Sequence, residues 1–350
     1  MRSSSPDLRF AQHDRLLVVA PHPDDETLAC GELIQSALAE GAAVRVVFAT
    51  DGDNNPWPQR WLEKRWHIGA KERQRWGERR RGEAARALAV LGAGTIETRF
   101  LGRPDQGLTD ELMQGDALVE ALASEIAVFA PTHLALPSLD DNHPDHSALH
   151  IAIQLALLRA RHACAQLAYA IHGADEAGSI SSPRFQAKKS AAMACYASQL
   201  ALSSGRMLAI ARKPECFVAT TIAAADAARD DSAHLRIAVD ALPAWRAAHD
   251  VLVVVATREA TLRATARLPL RAKPGDELPA HAGDALRIVF EGDALDVTLP
   301  ASSAPPIAAW AKLHRAGARI VVFDRSRWHA LGESAARALP SRLRVADQTR

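Results

Sequence analysis

Short β-branched runs alternate with longer alanine- and leucine-rich stretches through the first part of this chain. Leu16–Ala20, Val44–Thr50, Thr95–Leu101, His133–Pro137, Leu167–Ile171 and Cys216–Thr220 are mostly apolar, which predicts buried strands. Between them, Glu26–Glu40, Arg79–Leu91, Leu112–Phe129 and Ser147–Cys164 carry helical patterns, two of them closed by Gly41 and Gly92. Strands and helices in alternation predict a mostly parallel, Rossmann-like α/β sheet with helices on both faces. The small, charged stretch Ala223–Ser232 reads as a linker. Beyond it the pattern shortens: Leu235–Leu242, Val251–Thr257, Thr265–Arg271, Leu286–Glu291 and Leu295–Leu299 are strand-like and divided by turn residues. Leu295, Val297 and Leu299 alternate with polar positions, as on a half-buried antiparallel sheet. Pro305–Ala316 predicts a helix and Ala318–Phe323 a further strand. The expected division is an α/β domain at 1–225 and a C-terminal β-rich (α+β) accessory domain at 226–350, whose role the sequence leaves open.

Composition adds limits rather than detail. Of 350 residues, 48% are apolar and 24% charged, ordinary for a globular protein with ample core and unlike a disordered chain. Apolar runs such as Leu16–Ala20 and Val251–Ala256 fall far short of the ~20 residues of a membrane span. The polar start of the chain lacks the apolar region of a secretory signal. Cys30, Cys164, Cys195 and Cys216 have no CxxC spacing, so reduced thiols and a cytoplasmic location are expected. The net charge of +1 gives the whole chain no polyanion bias.

Several chemistries are excluded by what is missing. The chain has no GxSxG elbow, no Walker A sequence and no HExxH, and Gly92-Ala-Gly94 has Glu97 where a dinucleotide fingerprint needs glycine. Two dense polar clusters remain. Pro21-His22-Pro23-Asp24-Asp25-Glu26 follows one predicted strand, and Asp140-Asp141-Asn142-His143-Pro144-Asp145-His146 follows another. Ligands in open α/β sheets bind outside the carboxyl ends of the strands, so the clusters can share one cleft. Imidazole and carboxylate together are the ligand set of a catalytic zinc. His22 and Asp25 can converge on one ion with His146, leaving Asp24 pointing toward the water. A divalent zinc lowers the pKa of its water to about 7, and a nearby carboxylate can then take the proton. His143, kept protonated, could stabilise an oxyanion, with Asp145 or Asp141 orienting its ring. The plain alternative, that Asp24 or Asp25 merely caps a helix, does not call for the paired histidines.

The Pro-His-Pro-Asp-Asp-Glu block at 21–26, with His-Pro-Asp-His at 143–146, closely resembles the PIG-L/LmbE family of zinc-dependent N-acetylglucosaminyl deacetylases. The resemblance covers roughly residues 14–220 and includes Arg80 and Glu83, the loop Gly102–Gly107, and the segment from Lys188 to Ser198-Gln199. It implies His22, Asp25 and His146 as metal ligands, Asp24 as general base and then acid, and His143 paired with Asp145 as oxyanion stabiliser. It also implies that Arg80 and Asp105 hold sugar hydroxyls. Tyr196 stands where the family often has histidine before Ser-Gln.

The charge is uneven. Residues 57–81 hold nine Lys/Arg against three Glu, a local +6 that leaves −5 for the remainder, and four of the seven tryptophans (Trp57, Trp61, Trp66, Trp76). The segment follows Asn54 and Asn55 at a predicted strand end, on the rim of the cleft. Aromatic faces stack on sugars and guanidinium groups bind phosphate, so Asn54 and Trp57 are candidate substrate contacts of a lid for an anionic glycoconjugate. A helical hairpin packed on the core, with solvated cations, is the equally simple alternative.

Together these expectations describe a zinc-dependent N-deacetylase of a small, lipid-linked or nucleotide-linked N-acetylglucosamine, with Fe²⁺ or another divalent ion able to replace zinc. The alternatives are an amidase for another N-acyl or thiol-conjugate amide, or a glycan- or nucleic-acid-binding protein with a structural metal. No nucleic-acid partner is expected, peripheral membrane contact through 57–81 is open, and so is oligomerisation.

Overall fold

The computed structural model describes residues 9–172, 179–180, 183–221, 234–238, 249–269, 271–315 and 327–330. The chain begins with β1 (Arg15–Ala20), α1 (Asp25–Ala39), β2 (Ala43–Thr50), α2 (Pro56–Glu63), α3 (Ala70–Gly92) and β3 (Glu97–Arg103). There follow α4 (Leu108–Gln114), α5 (Ala117–Phe129), β4 (His133–Pro137), α6 (Pro144–Ala160), β5 (Ala165–Tyr169), β6 (Ser179–Ile180), α7 (Pro183–Met193), α8 (Ala197–Ala211) and β7 (Glu215–Thr220). These strands form a seven-stranded sheet in the order β3-β2-β1-β4-β5-β7-β6. The first five are parallel, and β7 runs antiparallel to β5 and β6.

Residue alternation explains why the strands read as continuous apolar runs. Leu16, Val18 and Ala20 point into a core shared with α1, α3, α7 and α8, through Leu33, Ile34, Leu88 and Met193. Leu17 and Val19 point to the opposite face, where α4, α5 and α6 supply Leu112, Leu122, Ile126 and Ile151. Both faces are covered, so neither can carry polar residues. Each fully buried aliphatic side chain contributes about 1.5–3 kcal/mol relative to exposure.

The rest is antiparallel. Strands β8 (His234–Ala238), β9 (His249–Thr257), β10 (Thr261–Leu268), β11 (Asp276–Leu278), β12 (Ala280–Gly283), β13 (Arg287–Phe290), β14 (Ala294–Thr298), β15 (Pro306–Arg315) and β16 (His329–Ala330) form two sheets. Their orders are β12-β10-β9-β15-β16 and β11-β13-β14-β8. Val251, Val253 and Val255 of β9 face the core between these sheets, beside Leu235, Ile288 and Val297. Leu252, Val254 and Ala256 instead join the core that contains α5 and α6. The five-stranded sheet is thus buried on both faces, and its second face lies on the α/β unit. Arg263 on β10 reinforces the junction, donating to the Leu112 carbonyl at 2.6 Å and pairing with Asp116.

Several expectations change. The expected helix at Pro305–Ala316, whose final residue Ala316 lies outside the described residues, is replaced by β15 over Pro306–Arg315, which pairs antiparallel with β9. Its alanines suggested a helix, but Ala309, Ala311 and Leu313 face one core while Ala308 and Trp310 face the other, a period of two. Small side chains suit that position because the strand is covered on both sides, and burial overrides helix propensity. Leu112–Phe129 divides into α4 and α5 at Gly115 and Asp116, and α3 starts well before Arg79, at Ala70. The linker Ala223–Ser232 and the strand Ala318–Phe323 lie outside the described residues. Among the described residues, no helix is long and apolar enough to cross a membrane.

Candidate active site

The order of the parallel strands reverses direction between β1 and β4, the neighbours at the centre of the sheet. A crevice opens at such a switch point, outside the carboxyl ends of the strands. Both polar clusters sit there, one after β1 and one after β4.

After β1 the chain turns sharply into α1. Asp24 has φ 123° and ψ −30°, a region that L-residues rarely adopt and that stores strain. Its carbonyl starts the helix by accepting from Thr27 and Leu28 N–H, at 3.1 and 2.9 Å. Its carboxylate does not cap the helix. Instead Oδ2 accepts from Arg80 Nη2 at 3.1 Å, while the Asp24 N–H donates to Glu26 at 3.0 Å. Glu26 in turn accepts from the Tyr196 hydroxyl. Arg80 reaches the turn from α3, is buried, and also donates to the carbonyls of Pro23 and Gly52. Gly52 has φ +62°, and a Cβ there would lie 1.6 Å from Arg80 Nη1, so the close approach requires glycine.

After β4, α6 begins at Pro144 with His143 as its N-cap. His143 Nδ1 accepts from the Asp145 N–H at 3.2 Å. That nitrogen therefore carries no proton, and the neutral ring holds its N–H at Nε2. Asp141 organises the turn: Oδ1 accepts from His143 N–H at 2.9 Å, and Oδ2 meets His146 Nδ1 at 3.0 Å and Ile171 N–H at 2.8 Å. The Asp145 carboxylate accepts from Gln106 and Leu108 N–H at 2.7 and 3.1 Å, which fixes the loop between β3 and α4.

The two clusters meet at Asp25. Its Oδ2 lies 3.0 Å from His22 Nδ1 and 3.3 Å from His146 Nε2. His22 Nε2 faces Asp105 at 3.2 Å and Asp145 at 3.4 Å. Donor atoms of His22, His143 and His146 lie within 4.8 Å of one another, as do those of His22, Asp105 and Asp145. Burial works against charge on His146, but Asp141 and Asp25 outweigh it and hold the imidazole pKa at about 10. Burial likewise opposes charge on His22, yet hydrogen bonds to Asp105, Asp145 and Asp25 raise its pKa. Asp25 is pulled well below its ordinary value despite burial, chiefly by His146. Asp105 falls to about 2 against burial, held by His22.

These residues fit a divalent ion. With Nδ1 engaged by Asp141, the fully buried His146 Nε2 has no hydrogen-bond partner and looks at a carboxylate oxygen. Between this nitrogen and the carboxylate oxygen there is room for one cation, which a proton or a divalent ion can supply. The cluster draws positive charge to both imidazoles, and a divalent ion supplies it through their lone pairs. Asp24 and His143 are different. Burial raises Asp24 to about 8 although Arg80 opposes it, and burial beside His22 and His146 lowers His143 to about 2.

The geometry gives the remaining candidate residues contacts that differ from those expected. Arg80 is committed to Asp24 and two carbonyls, so it holds the carboxylate rather than presenting a fork to sugar hydroxyls. Asp105 is turned toward His22 and is held there by Asn54, whose N–H donates to it at 2.7 Å; Asn54 Nδ2 also bonds the Asp105 carbonyl. The His143–Asp145 link runs through the Asp145 backbone N–H, because the Asp145 carboxylate holds the neighbouring loop. His143 is a neutral rather than a protonated donor. Trp57 stands exposed on α2. His172, which the sequence reading left out of the site, has its ring centroid 6.1 Å from His143 and 5.5 Å from His146. Its place at the end of β5, next to β4, was the available signal.

An α/β sheet with a buried histidine–carboxylate cluster at its switch point defines the class: a Rossmann-like α/β protein with a candidate divalent-metal centre. Residues 17–157 match the PIG-L family, described as GlcNAc-PI de-N-acetylase, so this part of the chain is similar to PIG-L/LmbE de-N-acetylases. It is 33% identical over 161 residues to a 1D-myo-inositol 2-acetamido-2-deoxy-alpha-D-glucopyranoside deacetylase of Rhodococcus opacus, covering 41% of this chain and 53% of the relative. A protein of the same name from a Nocardioides species is 38% identical over 88 residues, 25% of this chain and 28% of its own. The matches thus span only about a quarter to a half of these relatives' length. The solved N,N'-diacetylchitobiose deacetylase of Pyrococcus horikoshii aligns with TM-score 0.49 and 16% identity, over 59% of this chain and 84% of its own.

Proposed function

We propose that this chain is a divalent-metal-dependent N-deacetylase that removes the acetyl group from an N-acetylglucosamine-type sugar in a glycoconjugate. The observation that carries the reading is the buried, unpartnered His146 Nε2 facing Asp25, with the strained Asp24 carboxylate beside them. His22, Asp25 and His146 would hold the ion, zinc first and Fe²⁺ as the other candidate. The ion, when bound, supplies Lewis-acid activation of water and of the acetamide carbonyl.

The chain's own residues do the rest. Asp24, fixed by Arg80, takes the proton from the attacking water as the C–O bond forms. It returns that proton to the nitrogen as the C–N bond breaks, giving acetate and a free amine. His143, with Nδ1 occupied by the Asp145 N–H, donates from Nε2 to the developing oxyanion. Asp141 orients His146, and Asp145 fixes the loop that carries Asp105. Residues 1–225 would form the catalytic domain and 226–350 an accessory domain. The Arg327–Asp140 pair, at 3.0 Å, ties the latter to the turn that bears His143 and His146.

The test is amine release from free GlcNAc, UDP-linked GlcNAc and lipid-linked GlcNAc, by wild type and Asp24→Ala, with metal content measured on both. The reading expects turnover of at least one substrate by wild type, and a variant that keeps metal and loses turnover. One bound ion and no amine from any GlcNAc, but turnover of another N-acyl amide, would move the assignment to that amidase class. A metal with no exchangeable water and four protein ligands would make it structural and end the enzymatic reading.

A further inference from the structure

The segment between Asn55 and Gly69 has an unusual surface. Trp57, Trp61 and Trp66 are 60%, 56% and 79% exposed, and Leu62 between them is 37% exposed. Trp76, only ten positions on, is completely buried, which is the ordinary condition of tryptophan. On α2, positions 57, 60, 61 and 64 share one face at helical spacing, and they are Trp57, Arg60, Trp61 and Lys64. The cations lie along the rings: Arg60 Cζ is 5.0 Å from the Trp57 centroid and 5.2 Å from that of Trp66, and Lys64 Nζ is 4.4 Å from Trp61. Glu63, the acidic residue of this stretch, is turned inward and pairs with Arg75 at 2.6 Å. The outward face is therefore aromatic and positive.

Exposed apolar side chains gathered in one place mark an interaction site. Its chemistry selects the partner. A protein groove would bury the rings but not call for interleaved cations, whereas tryptophan settles at the headgroup level of a bilayer while lysine and arginine meet anionic lipid phosphates. A short helix with aromatics and cations on its outer face is built to lie in that interface. Its position matters too. Asn54, just before the helix, bonds Asp105, which faces His22, so the chain runs from the candidate metal centre directly into this segment.

We propose that α2 and the turn after it dock this protein on an anionic lipid surface. Trp61 and Trp66 enter the headgroup layer while Arg60, Lys64 and Arg65 contact its charge. The docking stands independently of the deacetylase reading, on which only the lipid-linked turnover below rests.

The experiment uses the full, metal-loaded chain in co-sedimentation with phosphatidylcholine vesicles, with and without a quarter phosphatidylglycerol. Wild type should pellet with the anionic vesicles, bind neutral ones weakly, and shift its tryptophan emission to the blue. Trp61→Ala/Trp66→Ala should weaken anionic-vesicle binding by roughly tenfold or more. Lys64→Glu/Arg65→Glu should weaken it by at least about fivefold per cation removed. Far-ultraviolet circular dichroism and metal content would confirm that the variants fold. Release of amine from water-soluble GlcNAc should be unchanged in Trp61→Ala/Trp66→Ala, while release from lipid-linked GlcNAc on vesicles should fall. Equal vesicle binding by wild type and the tryptophan variant would overturn the docking, as would binding of single-stranded DNA with none of vesicles. Vesicle binding without turnover of any GlcNAc substrate would leave the docking standing and count against the deacetylase; turnover of soluble GlcNAc without vesicle binding would do the reverse.

Discussion

Arg80→Ala separates two roles for the residue that most changed meaning between sequence and structure. The guanidinium is buried and donates to the Pro23 and Gly52 carbonyls and to Asp24 Oδ2. Its removal leaves a buried carboxylate and two carbonyls short of a donor. Each unsatisfied buried acceptor costs about 1–3 kcal/mol, and breaking a buried ion pair about 3–5 kcal/mol. A loss of roughly 3 kcal/mol in urea denaturation is therefore expected. The turn at Asp24 is already strained, at φ 123°, and without its anchor the carboxylate loses its aim. Since a positioned base contributes roughly 10²–10⁴-fold, kcat should fall by about 10² with KM little changed and metal content intact. Arg80→Lys, which can keep one hydrogen bond, should recover part of both losses. In an Asp24→Asn background the stability cost of Arg80→Ala should shrink by at least about 1 kcal/mol, because the buried charge is gone. If Arg80→Ala instead raised KM and left kcat within about threefold, Arg80 would be a sugar contact and the positioning role would be wrong.

Other expectations follow from the same contacts. Asp141→Asn removes the negative charge that holds His146 Nδ1 and should weaken metal retention against a chelator by about 10–100-fold, measured by competition. His143→Ala should lower kcat by roughly 10²–10³ while leaving one ion bound, measured by turnover and metal analysis together. His150 is buried with Nδ1 near the Pro137 carbonyl, and burial lowers its pKa from 6.5 to about 4. Between those values the unfolded chain binds the extra proton, so this residue's share of stability is complete above pH ~6.5 and is lost as pH falls toward ~4. His150→Gln should flatten that slope by up to about 1.4 kcal/mol per pH unit, read from urea midpoints across the interval. Val254→Asp buries a carboxylate where β9 meets the core of α5 and α6 and should cost more than about 3 kcal/mol, measured by denaturation of the whole chain.

Much of the fold was legible because the relevant signals are local. Leu16–Ala20 and Val251–Ala256 read as strands since both of their faces are buried, and the two histidine-aspartate clusters follow strand ends that prove to be neighbours at the switch point. What failed depends on partners distant in sequence. Trp310 and its flanking alanines look helical until β9 is beside them and cores lie on both faces. Arg80 has the chemistry of a sugar contact, and only the approach of α3 to Gly52 commits it to Asp24. Asp145 sits two residues from His143, yet two N–H groups of another loop claim its carboxylate. The tryptophans of the basic segment had two open meanings, and exposure divides them: Trp76 is core, while Trp57, Trp61 and Trp66 are surface.

The measurement that tests the central claim most directly is amine release from lipid-linked and free GlcNAc by metal-stripped protein, titrated back with Zn²⁺ and, separately, with Fe²⁺. Activity should be absent in the stripped protein and rise in proportion to ion bound, reaching its plateau at one ion per chain. His146→Ala should show neither binding nor activity over the same titration. Full activity in the stripped protein, or one tightly bound ion that never brings turnover of any N-acetylated sugar, would contradict the account.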